Sequence, residues 1–263
     1  MLNATTVPSI MFYQPGKTPH NLPHDPFKAC VVPRPIGWIS TVSPPTLPSS
    51  SSRNRNDATT TPKPQHNLAP YSQFNNLTFD PPYVMFAANQ TSTGTRKDTV
   101  RNAEATGKFV WNLATWDLRQ AVNATAQQFA YGTDEFLVAG LEKEYSHILP
   151  GDPVPMVKAS PAKFECVYHS TVRLPGNPPM GTVDVVIGRV VGVHIADWAL
   201  TKDGRLDVKK TKPMARLGYY EYAVVTETFE MVIPGADGAI SAGLEGSPAR
   251  VLEEVRRLAK PKL

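Results

Sequence analysis

Short apolar runs rich in β-branched residues recur along the chain and predict a mainly β protein with a few helices. Turn-forming residues separate the runs, and the 26 prolines favour strands and loops over a helical bundle. About seven strands with interspersed helices indicate a closed or partly closed antiparallel barrel. The strands are expected at residues 36–43, 67–74, 83–90, 108–114, 163–174, 181–197 and 219–232.

Helices are predicted at three places in this pattern. The first begins at Lys97 and ends before Gly107, since glycine suits the left-handed residue that follows a helix. The second covers residues 117–129, where apolar residues fall on one face. The third lies within residues 236–263, with Ser247 as its N-cap.

The composition divides the chain into an arm, a main domain and a C-terminal helix. Residues 1–29 are rich in proline and histidine and are expected to form an N-terminal arm. Residues 30–235 carry the strand pattern, and residues 236–263 the C-terminal helix. Residues 44–66 contain almost no large apolar side chains and cannot bury enough surface to order themselves, so we expect a flexible insertion between two strands.

Charge and cysteine content narrow the possible partners. The net charge of +4 comes from scattered basic residues, which argues against a nucleic-acid partner. No apolar run approaches the roughly 20 residues of a transmembrane helix, so no membrane partner is expected. Two cysteines are too few for a disulfide scaffold and favour a reducing compartment. These features together predict a cytoplasmic protein.

Common catalytic signatures are missing from the sequence. The six histidines show no metal-ligand spacing with cysteine or acidic residues, so no metal site is expected. There is no nucleophile elbow, no Walker A loop and no glycine-rich dinucleotide motif after a strand.

Residues 91–99 offer what a phosphate group requires. They lie between a predicted strand and a predicted helix, where backbone N–H groups and the helix dipole favour an anion. A capped helix start with an ordinary polar loop is the alternative. The segment contributes hydroxyls and cations from Ser92, Thr93, Thr95, Thr99, Arg96 and Lys97.

The strands on either side of the insertion carry a second candidate feature. Ser40 and Thr41 end the apolar run of the first strand, and Pro70 lies within the next. A proline inside a strand leaves neighbouring main-chain groups outside the ladder, where they could face the polar edge of a flat ring. An irregular edge strand is the alternative.

Three ordered segments make the chain resemble the flavin reductase-like, FMN-binding split-barrel family. Two later segments, GRVVGVHIAD and MARLGYYEYAVV, resemble the longer branch of that family, and the resemblance covers roughly residues 27–232. The three segments are VPRPIGWISTVS, NLAPYSQFNNLTFDPPYVMFA and GTRKDTVRNAEATGKFVWNLA.

The resemblance implies a six-stranded Greek-key split β-barrel over residues 30–235 that forms a homodimer with FMN at the subunit interface. Residues matching the flavin ring and ribityl contacts are Trp38, Ser40, Thr41, Asn67, Leu68, Ala69, Pro70, Tyr71 and Ser72. Those matching the phosphate contacts are Ser92, Arg96, Lys97, Asp98 and Thr99.

Two departures from the family pattern bear on access to the flavin. The insertion at residues 44–66 replaces a short hairpin turn, and Tyr219-Tyr220 stands where a second glycine often follows Arg-Leu-Gly. The resemblance assigns no catalytic side chain. His169 and His194 are candidates for donating a proton near the flavin, with a structural role as the alternative.

The resemblance implies an FMN-dependent oxidoreductase with NADH or NADPH as the electron donor. Electrons would pass to a small-molecule acceptor or to a partner monooxygenase. Two alternatives stay open, namely an enzyme with fixed FMN that acts on one organic substrate, and a non-enzymatic electron-transfer flavoprotein. One fold hosts many functions, so the reaction does not follow from the fold alone.

Overall fold

The computed structural model describes residues 10–45, 63–231 and Arg256. The chain divides into two compact units, residues 1–226 and 227–263. The boundary predicted at residues 235/236 and the predicted C-terminal helix lie outside the described residues, apart from Arg256. All further description concerns the first unit.

The first unit is mainly β, as the sequence predicted. Its helices are short: α1 is Phe27–Cys30, α2 Asp98–Thr106, α3 Arg119–Ala124, α4 Glu135–Val138 and α5 Val208–Thr211, with 3₁₀ turns at Trp116–Leu118 and Asp197–Ala199. The strands are β1 Arg34–Pro35, β2 Gly37–Val42, β3 His66–Tyr71, β4 Phe74–Phe79, β5 Pro82–Asn89, β6 Lys108–Leu113, β7 Lys143–Tyr145, β8 Pro155–Val157, β9 Ala162–Leu174, β10 Val183–Ile195, β11 Met214–Arg216 and β12 Tyr222–Val224.

A seven-stranded antiparallel sheet forms the body of the unit, in the order β3-β2-β6-β9-β10-β5-β4. Strands β3 and β4 are the two ends of this order, yet only Ser72 and Gln73 connect them along the chain. The sheet must therefore curve until its two ends meet, which is the geometry of a barrel. The resemblance implied six strands. The additional strand is β4, which the sequence did not predict beyond Phe74, the last residue of the strand expected at residues 67–74.

The barrel interior is filled mainly by aromatic and branched side chains. Phe86 packs edge-on against Phe109 at 5.4 Å between ring centroids, and Phe74 stacks on Trp111 at 5.5 Å. A Cβ atom on Gly188 would lie 2.4 Å from the Phe109 ring, so this position of β10 requires glycine.

Both faces of β2 are buried. Ile39 points into the barrel, whereas Trp38 belongs to a second apolar cluster with Leu68, Val122 and Phe136 beneath α3 and α4. A third cluster lies beneath the β7–β8 hairpin and consists of Val42, Val110, Leu149, Val154 and Met156. The helices and the hairpin thus cover the outer surface of the barrel at β2 and its neighbours.

The predicted helix boundaries are confirmed for α2 and differ for the second helix. Gly107 has φ 72°, and its N–H donates to Ala103 O. The helix predicted at residues 117–129 is shorter, because α3 ends at Ala124 and the Thr125 hydroxyl accepts the Trp38 Nε1–H bond at 3.0 Å.

The strand predicted at residues 219–232 is wrong for most of its length. Within residues 219–231, the described part of this range, only Tyr222–Val224 is a strand, and Tyr219 has φ 53°, which is incompatible with a continuous strand. The aromatic and apolar residues alternate here as they do in a strand, although the chain forms a turn at Tyr219-Tyr220.

The ends of the 44–66 insertion form an ordered hairpin stem. His66 pairs with Val42 within the sheet, and Ser43 N–H donates to Gln65 O at 2.8 Å. Residues 46–62 lie outside the described residues, as do residues 1–9 of the N-terminal arm. Among the described residues, no helix is long and apolar enough to cross a membrane.

Candidate functional site

A cavity of about 730 Å³, here called the main cleft, opens between β3, the start of α2 and the loop after α3. Two polar segments distant in sequence meet there, since the Asn67 side-chain amide donates to the Thr99 hydroxyl at 2.8 Å. The cleft is lined by Asn67, residues 69–73, residues 87–93, Thr95, residues 97–99, Arg101, residues 125–131, Glu135 and Met180.

The main cleft brings together nine of the fourteen residues that the resemblance assigned to FMN. They come from β3 and from the loop that leads into α2, so both predicted segments contribute. The nine are Asn67, Ala69, Pro70, Tyr71, Ser72, Ser92, Lys97, Asp98 and Thr99.

Trp38 and Leu68 lie behind the cleft wall instead of in it. Both side chains are fully buried in the cluster beneath α3 and α4. Trp38 is nevertheless connected to the cleft, because its indole N–H donates to Thr125, a lining residue. These two residues support the wall and do not present a side chain to the cavity.

Ser40 and Thr41 are also fully buried, and their hydroxyls are used inside the protein. The Asn112 side chain donates to Ser40 Oγ at 3.1 Å, and the Asn102 side chain donates to Thr41 Oγ1 at 3.2 Å. The resemblance assigned both residues to the flavin ring and ribityl contacts, whereas in the structure their hydroxyls join β2 to β6 and α2.

Arg96 does not line the cleft because two carboxylates hold its guanidinium. Its Nε donates to Asp184 at 2.9 Å and its Nη2 to Glu104 at 2.5 Å. The hydrogen bond that Arg96 donates to Glu104, followed by the contribution of Asp184, raises the pKa of Arg96 above its usual value. The charge of Arg96 is thus compensated internally.

Two cations near the start of α2 line the cleft, Lys97 and Arg101, and Arg101 lies 3.9 Å from the Asp98 carboxylate. Within the part of the chain that the structure describes, no acceptor lies within hydrogen-bonding distance of Lys97 Nζ. Partial burial lowers the pKa of Lys97, while nearby Asp98 opposes this effect. A partly desolvated ammonium group beside a helix N-terminus favours an anion.

Glu135 is a cleft residue that the sequence analysis missed. It is buried at the first position of α4, and its Oε2 accepts the Leu68 N–H bond at 2.9 Å. Burial raises the pKa of Glu135 to about 7, although the Leu68 N–H bond favours the carboxylate. Nothing in the sequence around Asp134-Glu135, at the start of a short helix, indicates that the Glu135 side chain points toward a cavity.

A second cavity of about 570 Å³ adjoins the main cleft, and Ser72 lines both. Its walls include Lys28, Arg34 and Arg216, with Asp25 as the acidic neighbour. The Arg34 guanidinium donates to the carbonyls of Lys28, Val31 and Leu217, and so ties the N-terminal arm to the loop after β11. His24, Leu217, Tyr219 and Tyr220 also border this cavity.

The two histidine candidates lie away from both cavities. The His169 ring packs edge-on against Tyr83, and its Nδ1 is 3.1 Å from the Ser170 hydroxyl. His194 pairs with Glu165. The structure therefore brings neither candidate to the main cleft.

Solved structures share this architecture. Component B of nitrilotriacetate monooxygenase from Bacillus cereus matches with a TM-score of 0.69 and 28% identity, over 85% of this chain and 99% of that one. A split-barrel protein from Shewanella frigidimarina matches with a TM-score of 0.59 and 19% identity, over 79% of this chain and 89% of that one, and shows the fold alone. The first unit is a split barrel.

Sequence comparison defines the family. The model of the flavin reductase like domain matches residues 32–223. An uncharacterized protein from Aquifex aeolicus is 30% identical over 192 residues, which cover 72% of this chain and 84% of that protein. The chain belongs to the flavin reductase-like family, as its motifs had indicated.

The raised pKa of Glu135 predicts a pH-dependent contribution to stability. The native state holds the Glu135 proton more tightly than the unfolded state, whose pKa is near 4.5. The resulting stabilisation is present below pH 4.5, decreases as the pH rises and is lost above about 7. Its full size is about 3 kcal/mol. In Glu135→Gln this part of the pH dependence should vanish, which urea unfolding across this pH range measures.

The exposed Glu221→Gln variant is the control and should keep the wild-type pH dependence. An unchanged pH profile in Glu135→Gln would show that Glu135 ionises in the native state as it does in water.

Proposed function

We propose that this protein is an FMN-dependent oxidoreductase that binds FMN in the main cleft and accepts electrons from NADH or NADPH. The observation that carries the proposal is the Lys97 ammonium at the start of α2, which has no hydrogen-bond acceptor among the described residues and lines the same cleft as β3. Bound FMN supplies a two-electron redox centre that a chain without a catalytic side-chain constellation would otherwise lack.

The start of α2 fits the phosphate end of such a ligand. Lys97 supplies the charge, and the first-turn N–H groups of a helix have no intrahelical acceptor. Ser92, Thr95 and Thr99 place hydroxyls around the same part of the cleft. Since Arg96 is held by Asp184 and Glu104, Lys97 carries the charge-assisted contact in this proposal.

Strand β3 fits the ring and the polyol chain. Among the described residues it pairs with β2 only; on its other edge the Leu68 N–H is bonded to Glu135 and Pro70 has no N–H, which leaves main-chain carbonyls there. Residues 69–72 line the cleft, where flat apolar surface alternates with main-chain polar atoms. In this proposal β3 orients the ring, and Trp38 supports the loop after α3 from behind through Thr125.

The second cavity fits the electron donor. A nicotinamide nucleotide carries a diphosphate, and Lys28, Arg34 and Arg216 outnumber Asp25 along the walls. Because Ser72 borders both cavities, a donor there would lie next to a ring held by β3. Whether NADH or NADPH is used depends on contacts within this cavity.

Two features of the molecule bear on the electron acceptor. The likeness to a monooxygenase component B supports a small-molecule flavin or a partner monooxygenase as the acceptor. The aromatic rim formed by Tyr219 and Tyr220, the latter 94% exposed, favours a second candidate, in which FMN stays bound and one organic substrate enters this cavity. An electron-transfer flavoprotein without a nicotinamide donor is the non-enzymatic alternative.

We also propose that the protein is a homodimer. Apolar side chains at one end of the β9–β10 pair are exposed, and such a patch is typical of a surface covered by another subunit. Val172 and Leu174 of β9 are exposed there, opposite the half-buried Val185 and Val183 of β10.

Lys97→Met should weaken FMN binding, because the charge-assisted contact to the phosphate is lost while the side-chain volume is nearly kept. We expect a loss of about tenfold to a hundredfold in affinity, in line with about 1.5–3 kcal/mol for a charged hydrogen bond. Titration of flavin fluorescence measures it. Lys158→Met, a surface lysine paired with Glu142, is the control and should bind like the wild type. Equal FMN affinity in all three proteins would place the phosphate elsewhere.

Anaerobic NADH or NADPH should bleach the absorbance of the FMN-loaded protein within seconds. Lys28→Ala should raise the KM of the donor about fivefold at unchanged kcat, since one hydrogen bond is worth about 1 kcal/mol. Lys17→Ala, on the same arm but outside the second cavity, is the control. If neither nucleotide reduces the bound flavin, the proposed donor is ruled out and the electron-transfer alternative is favoured.

Val172→Glu should convert a dimer into a monomer, because a charge would be buried at the interface without a partner. Light scattering coupled to gel filtration measures the mass. Leu137→Glu changes an even more exposed apolar residue outside β9 and β10 and should leave the dimer intact. A wild-type monomer, or a Val172→Glu dimer, would contradict the proposed interface.

A further inference from the structure

Three side chains with metal-binding chemistry meet on the outer side of the barrel. They are His147 in the β7–β8 connection, Glu165 in β9 and His194 in β10. One ligand atom from each lies within 4.8 Å of the other two. The sequence predicted no metal site because these residues are far apart along the chain, and only the sheet and its covering hairpin bring them together.

Glu165 is the fixed member of the cluster. Its side chain is fully buried, although its neighbours Phe164 and Cys166 belong to the barrel core on the opposite face of β9. Its Oε1 accepts the His147 N–H bond at 2.7 Å, and its Oε2 accepts the Ile148 N–H bond at 3.0 Å. Main-chain donors of this kind orient a carboxylate ligand in metal sites.

Gly192 leaves space for this carboxylate on the neighbouring strand. It stands opposite Glu165 in the β9–β10 register, next to a bulge that re-aims the following part of β10. A Cβ atom on Gly192 would lie 3.3 Å from the Cβ atom of Glu165 and 3.1 Å from the Cδ1 atom of Ile148. Those contacts would be tight, so glycine keeps the carboxylate pocket open.

The two imidazoles approach the carboxylate from different directions. His194 Nε2 lies 2.7 Å from Glu165 Oε1, and the His147 ring stands edge-on to the His194 ring at 4.7 Å between centroids. Ligand atoms around a tetrahedral zinc ion are about 3.4 Å apart, given metal–ligand distances near 2.1 Å. The distances between ligand atoms in the cluster lie on either side of this value. The exposed His147 side chain can move toward the other two ligands.

We propose that His147, Glu165 and His194 bind one divalent transition-metal ion, with solvent completing its coordination on the exposed side of His147. Two imidazoles and one carboxylate match zinc and related ions, whereas magnesium and calcium prefer oxygen ligands. The ion takes the place of the hydrogen on His194 Nε2, and that proton moves to Nδ1 or to solvent. Nearby Lys163 is ion-paired with Glu144, which compensates its charge.

The position of this site indicates a structural role. None of its ligands lines the main cleft or the second cavity. The ion would instead fasten the β7–β8 connection to β9 and β10, beside the apolar cluster in which Leu149 and Val154 pack on Val42 and Val110. This inference is independent of FMN and of the electron donor. A His194–Glu165 hydrogen bond without an ion is the alternative that the experiment must separate.

The test is calorimetric titration of tag-free, chelator-treated full-length protein with zinc chloride near neutral pH. We expect one saturable site per chain and a rise in Tm. His147→Ala should bind zinc at least about tenfold more weakly. This variant keeps the main-chain N–H bond to Glu165, so its unfolding in the absence of zinc should match the wild type.

His169→Ala is the matched control, since His169 also lies on β9 but faces Tyr83 and not the cluster. It should bind zinc like the wild type, and magnesium chloride should give no saturable binding to any of the three proteins. The proposal is overturned if the wild type shows no saturable zinc site, or if His147→Ala binds zinc as tightly as His169→Ala.

Discussion

The closure of the barrel is the constraint on which the other features depend. Strands β3 and β4 are the two ends of the sheet order, and the chain allows only Ser72 and Gln73 between them. This short link forces the sheet to curve, and curvature creates an interior that Phe74, Phe86, Phe109 and Trp111 fill. It also places Ser72 on the boundary of both cavities, so the same closure that builds the core positions the candidate site.

The distribution of charge at the cleft follows from which ionic groups the fold pairs internally. Arg96 is held by Asp184 and Glu104, and Asp184 is also bound by Arg173 at 2.6 Å. Lys97, the next residue, faces the cavity without an acceptor among the described residues. An adjacent pair of cations thus has two different roles. One stabilises the junction of α2 with β10, and the other is available to an anionic ligand.

Local patterns were sufficient to predict six of the seven strands of the main sheet, all but β4. The β-branched runs identified β2, β5, β6, β9 and β10 to within one or two residues at each end, and Gly107 marked the end of α2. Where prediction failed, the cause was tertiary. Within the predicted helix, α3 ends at Ala124, next to Thr125, which is bonded to the distant Trp38, and Tyr219-Tyr220 forms a turn although its neighbours alternate like a strand.

The sequence by itself determined the fold class, the family and the segments from which nine of the candidate cofactor residues come, because those properties are written in local periodicity and in ordered motifs. Only the tertiary structure decided which side chains face the cleft. Four of the predicted cofactor residues are buried behind the cleft and do not line it, namely Trp38, Ser40, Thr41 and Leu68. It also placed Glu135 in the cleft and joined His147, Glu165 and His194. Side-chain direction and long-range proximity depend on sheet register and curvature, and neither is encoded in any single segment of the chain.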